Sequence, residues 1–181
     1  HSLGGRVMAK SAMALATRIA VMDQGKIVQY ASPIEIYRRP ATTFVANFVG
    51  NPPMNLVQVE AVQGDGKLQL SAEGLTLDGL AMSGRIGAAL GASKTLTLGV
   101  RPEHLTIAEP GTPNTISGKL FANENMGPES LVTMERADGS GVTLPLGTGR
   151  TRIDVVEVRA EDVQPGDVVN KAGHVRDGWI E

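Results

Sequence analysis

Three side chains capable of acid–base chemistry lie close together in the segment GVRPEHL, residues 99–105. Arg101 supplies a cation, Glu103 a carboxylate and His104 an imidazole, and a hydrolase could use the last two for proton transfer. In an extended segment, however, adjacent side chains point to opposite faces, which weakens cooperation between Glu103 and His104. We therefore favour a structural interpretation, in which Arg101 bridges Glu103 or backbone carbonyl groups and fixes the chain between two strands. A regulatory contact through these residues is the second alternative.

Other patterns that would indicate catalysis or cofactor binding are missing from the sequence. It contains no cysteine, and its histidines at positions 1, 104 and 174 lack the spacing of metal ligands. The glycines at 64–66 and 137–141 punctuate hairpins and do not open a helix as a dinucleotide-binding loop would. There is no G-x-x-x-x-G-K-[ST] phosphate loop. We therefore predict no catalytic residue, no cofactor site and no metal site in this chain.

The composition is that of a folded protein with neither a nucleic-acid partner nor a membrane span. Hydrophobic residues make up 41% of the 181 positions, which is enough to build a core. A net charge of −2, with only two aromatic residues after position 50, argues against a nucleic-acid-binding face. No apolar run approaches the roughly 20 residues that a transmembrane helix needs.

Aromatic side chains are concentrated in one short part of the chain. Four of the six, Tyr30, Tyr37, Phe44 and Phe48, lie between residues 30 and 48, whereas glycine is spread through the remainder. This change of character predicts a domain boundary near residue 50. We divide the chain into a vector-derived remnant at 1–8, a first segment at 9–50 and a second domain at 51–181.

Residues 18–31 have the pattern of a β-hairpin. The segments RIAVM and IVQY read as two short strands, and DQGK between them reads as a tight turn. Gly25 supplies the positive φ that such turns require.

Two short helices are predicted to follow the hairpin. Ser32 is placed to cap the first helix, Pro33 occupies its first position and Pro40 ends it. The second helix carries an apolar stripe that includes Phe44 and Phe48, and Gly50 can cap its C-terminus. Aromatic stripes of this kind are usually core residues. The functional alternative is that the two helices form a connector that docks one domain on the next.

The second domain has the pattern of an all-β structure. Short runs that alternate apolar and polar residues are separated by Gly-, Asp-, Asn- and Pro-rich turns, which is typical of a small barrel or sandwich. Segment 79–91 is an exception that we interpret as a short helix or a loop. The fold class is therefore mainly β, preceded by short helices and a hairpin. The predicted strands are 56–62, 67–71, 75–80, 95–100, 105–108, 116–121, 130–135, 142–146, 152–158, 167–169 and 173–180.

Residues 9–55 resemble the end of the nucleotide-binding domain of ATP-binding-cassette import ATPases, the kind that serves maltose, other sugars and glycerol phosphate. More than twenty positions match in order, within AMALATRIAVMDQGKIVQ, then PIEIYRRP, then FVANFVGNPPMN. The family's switch histidine, however, corresponds to Val7 here, and the phosphate loop has no counterpart. The resemblance therefore implies a truncated, non-catalytic piece of a longer protein whose missing part would bind ATP and Mg²⁺.

Residues 51–170 are similar to the regulatory domain that follows these ATPases. GVRPEHL matches a family segment in full, and ENMGPESLVTM is similar to another through residues that include Gly127 and Glu129. The resemblance implies an oligonucleotide/oligosaccharide-binding (OB) or TOBE-type fold of one or two small barrels. It also implies regulatory or turn-fixing roles for the two matched segments, the residues concerned being Arg101, Glu103, His104, Gly127 and Glu129.

These observations lead to two hypotheses about function. In the first, the chain is the regulatory and dimerisation domain of an importer ATPase for a sugar-like solute, on the cytoplasmic side of the bacterial inner membrane. Its expected partners are a second copy, membrane permease subunits and regulatory proteins, without nucleic acid. In the second, the barrel binds a small sugar or oxyanion. Residues expected to form the connector and its interface are Tyr37, Phe44, Phe48, Met54 and Asn55. We also expect segment 9–50 to dock on the barrel or to pair between chains, since its usual covering sheet is missing.

Overall fold

The computed structural model describes residues 13–65, 67–81, 94–108, 112–127, 129–147, 155–160 and 168–170. The first sheet is an antiparallel hairpin of β1 (Ile19–Asp23) and β2 (Lys26–Ala31). Its turn uses a positive φ at both Gln24 (46°) and Gly25 (78°). This geometry matches the right-handed twist of the strands, so the predicted hairpin is confirmed.

Two helices follow, each begun by a hydroxyl side chain. Helix α1 is Pro33–Arg38, and the Ser32 hydroxyl accepts a hydrogen bond from the Glu35 amide at 3.3 Å. Helix α2 is Thr43–Phe48, and the Thr42 hydroxyl accepts one from the Val45 amide at 3.2 Å. These bonds satisfy amide groups that have no partner within the helix. Both predicted helices are confirmed.

The hairpin and the two helices share a small apolar core. Ile36 of α1 and Val45 of α2 are fully buried against the hairpin, and Tyr37 and Phe48 pack at the edge of this cluster. No helix of the described part of the chain is both long and apolar enough to cross a bilayer.

The remaining strands form a second, larger sheet of ten strands, which confirms the mainly β fold class. One turn of 3₁₀ helix, Pro102–His104, separates two of them. The strands are β3 (Asn55–Gly64), β4 (Lys67–Ala72), β5 (Leu75–Ala81), β6 (Thr95–Val100), β7 (Leu105–Ala108), β8 (Thr115–Asn125), β9 (Glu129–Glu135), β10 (Gly141–Gly147), β11 (Val155–Ala160) and β12 (Val168–Asn170).

The strand order of this sheet is β10-β9-β8-β5-β4-β3-β6-β12, and β11 pairs with both β7 and β8. All pairings are antiparallel. Alternate side chains along the strands point inward, and sixteen buried apolar residues form one core between them. Leu70, Leu98 and Leu144 are among the fully buried members.

Strand β8 differs most in extent from the pattern-based prediction. It continues to residue 125, four residues further than predicted, with a bulge between Leu120 and Ala122. The added residues 122–125 read ANEN and three of the four are exposed, so this end of the strand carries no apolar alternation that a period-two search could detect. Strand β11 ends at residue 160, two residues beyond the predicted end, and the predicted residues 152–154 lie outside the described part of the chain. The strand predicted at 173–180, and most of segment 79–91, lie outside the described residues.

Candidate functional site at the joint between the connector and the β-domain

Arg101 lies between the large sheet and the two helices. We call residues 32–54 the connector and residues from 55 onward the β-domain. Arg101 follows β6, and only 3% of its surface is exposed. One guanidinium nitrogen donates to the backbone carbonyls of Val49 (2.5 Å) and Ala46 (3.4 Å), and the other donates to that of Tyr37 (2.8 Å).

These three carbonyls belong to the C-terminal turns of α1 and α2. The last carbonyl groups of a helix accept no hydrogen bond from within the helix, and they form the negative end of its dipole. A planar guanidinium with several donors can serve two such ends together, which the point charge of a lysine cannot do in the same geometry. Arg101 thus holds both helices of the connector against the β-domain.

Tyr37 completes this joint from the connector side. Its ring lies beneath the guanidinium of Arg101, with 4.1 Å between the guanidinium carbon and the ring centre. Its hydroxyl donates a hydrogen bond to the carboxylate of Glu103. Partial burial, the hydrogen bond to Glu103 and the negative charge of Glu103 together raise the pKa of Tyr37 to about 12, against a smaller lowering by the positive charge of Arg101. The phenol is therefore a hydrogen-bond donor at neutral pH.

Gly50 lies in the space that the joint leaves between connector and guanidinium. Its φ is +118°, and an added Cβ would lie 2.8 Å from Nη1 of Arg101 and 3.0 Å from the Pro52 carbonyl oxygen. Only glycine has both the backbone conformation and the room for this position. Val49 is the C-terminal cap of α2, and Gly50 stands one residue beyond it, where a glycine with positive φ commonly ends a helix.

The remaining residues predicted for the connector occupy two positions. Phe44 and Phe48 stack on each other along α2 with 5.7 Å between ring centres, and Phe44 keeps 38% of its surface exposed. Met54 is buried, and its amide donates to the Ala46 carbonyl at 3.4 Å. Asn55 is also buried and exchanges two hydrogen bonds with the backbone of Thr143.

The predicted regulatory residues are divided between two places. Arg101 bonds to backbone carbonyls, as the structural interpretation requires, but these carbonyls belong to the connector and not to a local turn. His104 is exposed, and its amide donates to the Arg101 carbonyl. Gly127 lies in the exposed loop between β8 and β9 with a φ of +95°, and Glu129 is the exposed first residue of β9.

A second buried arginine was not indicated by the sequence patterns. Arg136 follows β9 and is 2% exposed. Its guanidinium pairs with Asp138, donates to the Ser140 hydroxyl at 2.9 Å, and donates to the Glu73 carbonyl at 2.8 Å. It therefore ties the β9–β10 loop to the β4–β5 turn. The available signal was an arginine immediately before the turn sequence ADGSG, at the end of an alternating strand.

One open cavity of about 430 Å³ lies on the outer face of the sheet, near the start of β6 and the end of β4. Its polar lining consists of two carboxylates, one carboxamide and two hydroxyls, belonging to Glu60, Glu73, Gln58, Ser71 and Thr95. The lining contains no basic side chain, so its charge is unfavourable for anions.

Comparison with known families accounts for most of the β-domain. Residues 50–105 match the MalK OB fold domain, and residues 98–170 match the TOBE domain. Residues 50–170 of the chain therefore belong to the MalK OB-fold and TOBE domain families. The resemblance to sugar-type import ATPases proposed from the sequence, and the OB-type fold that it implied, are thereby confirmed.

Curated relatives are similar over most of this chain. The sn-glycerol-3-phosphate import ATP-binding protein UgpC of Rhodopseudomonas palustris (strain BisA53) is 36% identical over 166 residues, which are 90% of this chain and 39% of that protein. The protein of the same name from Vibrio vulnificus (strain YJ016) is 41% identical over 121 residues, 67% of this chain and 30% of that protein. The chain thus spans well under half the length of these relatives.

One solved structure has a related outline. The cytoplasmic molybdate-binding protein ModG, with molybdate bound, aligns with a TM-score of 0.45 and 12% identity, covering 64% of this chain and 93% of that chain. This likeness is too remote to bear on ligand binding.

The ranges of the two family matches show which domain each residue of the joint belongs to. Arg101 and Glu103 lie where the MalK OB-fold and TOBE matches overlap, at residues 98–105. Asn55 belongs to the MalK OB-fold domain, and Thr143 belongs to the TOBE domain. Arg101 therefore holds the connector at the overlap of the two matches, and the Asn55–Thr143 contact holds the two domains to each other.

Proposed function

We propose that this chain is the regulatory portion of an ATP-binding subunit that drives uptake of a sugar-like solute, such as a glycerol phosphate. The observation that carries the proposal is the buried guanidinium of Arg101, which joins the connector to the MalK OB-fold and TOBE domains. The chain itself is non-catalytic in this proposal. ATP and Mg²⁺ would bind in the part of the relatives that this chain does not match.

The joint supports a mechanical role for the β-domain. A buried, multiply bonded arginine with a stacked tyrosine resists bending, because any rotation of the connector would strip several hydrogen bonds from a desolvated cation. A force on the β-domain, or the effect of a partner that binds it, is therefore transmitted to the connector and to the residues before the connector. Such a partner regulates only if it binds the alternative states of the subunit with different affinities.

The expected assembly follows from this role. Two copies pair through their β-domains, and the parent subunit contacts membrane permease subunits on the cytoplasmic side of the bacterial inner membrane. Regulatory proteins act on the β-domain, and no nucleic acid takes part. Light scattering across a wide range of protein concentrations tests the pairing. A growing dimer fraction supports it, and a monomer at every concentration contradicts it.

The coupling is tested in the longer parent protein that carries this region. Arg101→Leu should reduce ATP-driven solute uptake without changing nucleotide affinity, since the joint lies outside any nucleotide site. Arg38→Ala, an exposed arginine on α1, is the matched control and should leave uptake unchanged. Normal uptake by the Arg101→Leu protein would contradict the proposed function.

A second candidate function is suggested by the cavity between Glu60 and Glu73. Its carboxylates, amide and hydroxyls offer both donors and acceptors to the hydroxyl groups of a neutral sugar, whereas the carboxylates repel an oxyanion. Titration calorimetry with neutral sugars, glycerol phosphate, molybdate and sulfate tests this candidate. Sugar binding that is lost in Glu60→Gln but kept in Glu124→Gln would support it, and no heat with any sugar would eliminate it.

A further inference from the structure

Asn55 makes an unusual contact for a residue at the start of a strand. It is the first residue of β3, directly after the connector, and only 6% of its surface is exposed. Its side-chain amide donates to the Thr143 carbonyl at 2.8 Å, and its side-chain oxygen accepts from the Thr143 amide at 2.8 Å. The carboxamide thus pairs with both backbone groups of one residue of β10, as a neighbouring antiparallel strand would.

Strand β10 stands at the end of the strand order, and among the described residues no strand pairs with its outer edge. Buried backbone groups must nevertheless be hydrogen-bonded, and an open strand edge invites unwanted pairing. Asn55 satisfies both backbone groups of Thr143 at this edge. The Thr143 hydroxyl lies 3.2 Å from that of Thr133 on β9, so the contact is continuous with the β9–β10 hairpin.

On its other side, Asn55 is linked to the connector through one residue. The Met54 amide donates to the Ala46 carbonyl at 3.4 Å, and this same carbonyl accepts from Arg101. A displacement of Asn55 would therefore disturb α2 and the contact between α2 and the Arg101 guanidinium. Besides the contacts of Arg101 and Glu103, the connector is therefore linked to β10 through Met54 and Asn55.

We propose that Asn55 is a latch between the connector and the edge strand β10 of the TOBE domain, so that displacing β10 loosens the connector. The latch adds a route for regulation to the proposed function. Only the biological meaning of the latch rests on that function. The physical claim concerns this chain alone, and its test needs neither nucleotide nor transporter. It can therefore fail while the proposed function stands.

Hydrogen exchange of backbone amides tests the latch. Asn55→Leu removes both hydrogen bonds at nearly constant volume, and it should speed exchange about tenfold at Thr143 and also at Met54 and Val49 in the connector. The matched control is Gln58→Leu, which removes a side-chain hydrogen bond to Thr97 from the same strand. It should leave the connector amides unchanged. Faster exchange at Thr143 alone, or an equal effect of both variants, would overturn the proposal.

Reciprocity gives a second test that does not depend on how well an Asn55 variant folds. Coupling between two sites acts equally in both directions. Thr42→Ala removes the N-terminal cap of α2 and loosens the connector from its own side. It should therefore speed exchange at Thr143, which has no direct bond to Thr42. An unchanged rate at Thr143, with faster exchange at Val45, would refute the latch.

Discussion

The guanidinium carbon of Arg101 lies 4.1 Å from the centre of the Tyr37 ring, and the same guanidinium donates to the Tyr37 backbone carbonyl at 2.8 Å. The two residues are 64 positions apart in the sequence. Their double contact joins a helix of the connector to the β-domain through both a ring face and a peptide group. A desolvated cation over an aromatic ring contributes about 1–2 kcal/mol by itself, so the pair is a principal attachment between the two parts.

Replacing Arg101 should loosen this attachment. Arg101→Leu leaves the carbonyls of α1 and α2 without their shared donor, and we expect a loss of about 3 kcal/mol or more in the free energy of unfolding. Arg101→Lys keeps the charge but not the planar fork and should lose roughly half as much. Urea unfolding followed by circular dichroism measures both, with Arg38→Ala as an exposed control. A Lys variant as stable as the parent would contradict the role of the fork, and equal stability of the Lys and Leu variants would contradict a separate contribution from the charge.

Gly50 should tolerate no side chain. Gly50→Ala places a Cβ 2.8 Å from Arg101 and enforces a positive φ, so we expect a loss of about 1–3 kcal/mol. Gly64→Ala is the matched control, because its Cβ would meet no atom within 4 Å. Thermal unfolding of the two variants separates the prediction from a general effect of alanine. Similar melting temperatures for both would show that the close approach to Arg101 has no energetic consequence.

Local structure in the hairpin and the connector could be predicted because its signals are local. The Gln24–Gly25 turn, the Ser32 cap and the helix end before Pro40 each depend on residues within four positions of one another. The strands of the β-domain were predicted where apolar residues alternate. The prediction was wrong at the far end of β8, where residues 122–125 are mostly polar and exposed and so show no alternation.

The joint itself could not be predicted from residue patterns. Sequence reasoning placed Tyr37 in the connector and Arg101 with Glu103 in a separate turn, whereas the structure brings the three together. Arg101 binds backbone carbonyls, and every residue has one, so no residue type marks its partners. The partners of Asn55 are likewise backbone groups, those of Thr143, 88 positions away. Such contacts follow from the packing of whole elements.

Tyr37 should ionise only at high pH, and the joint should weaken when it does. Burial, the hydrogen bond to Glu103 and the charge of Glu103 raise its pKa to about 12 from a usual value of 10.0. The stability that this group contributes is therefore complete below about pH 10 and is lost as pH rises through 12. Ultraviolet absorbance of phenolate measures the titration in a chain that has only two tyrosines. Tyr37→Phe should remove the component near pH 12 and Tyr30→Phe should keep it; the reverse would contradict the assignment.

Asp138 should make the β9–β10 loop sensitive to acid. The Ser140 hydroxyl that donates to it holds its pKa below the usual value, against a smaller opposing effect of burial, and the Ser140 amide and the Arg136 charge lower it further. A carboxylate whose pKa is depressed by folding stabilises the folded state above its unfolded pKa, near 4, and this contribution disappears as pH falls through the folded value. Asp138→Asn should therefore be less stable than the parent at neutral pH, and the difference should shrink on acidification below about pH 4. Ser140→Ala removes the hydrogen bond that contributes most to the lowered pKa of Asp138. The free energy of unfolding of this variant should therefore depend less on pH in the same range than that of the parent. Urea unfolding at a series of pH values measures the stability of all three proteins. If the difference in free energy of unfolding between the parent and Asp138→Asn stays constant to pH values well below 4, Asp138 is not the acid-sensitive group.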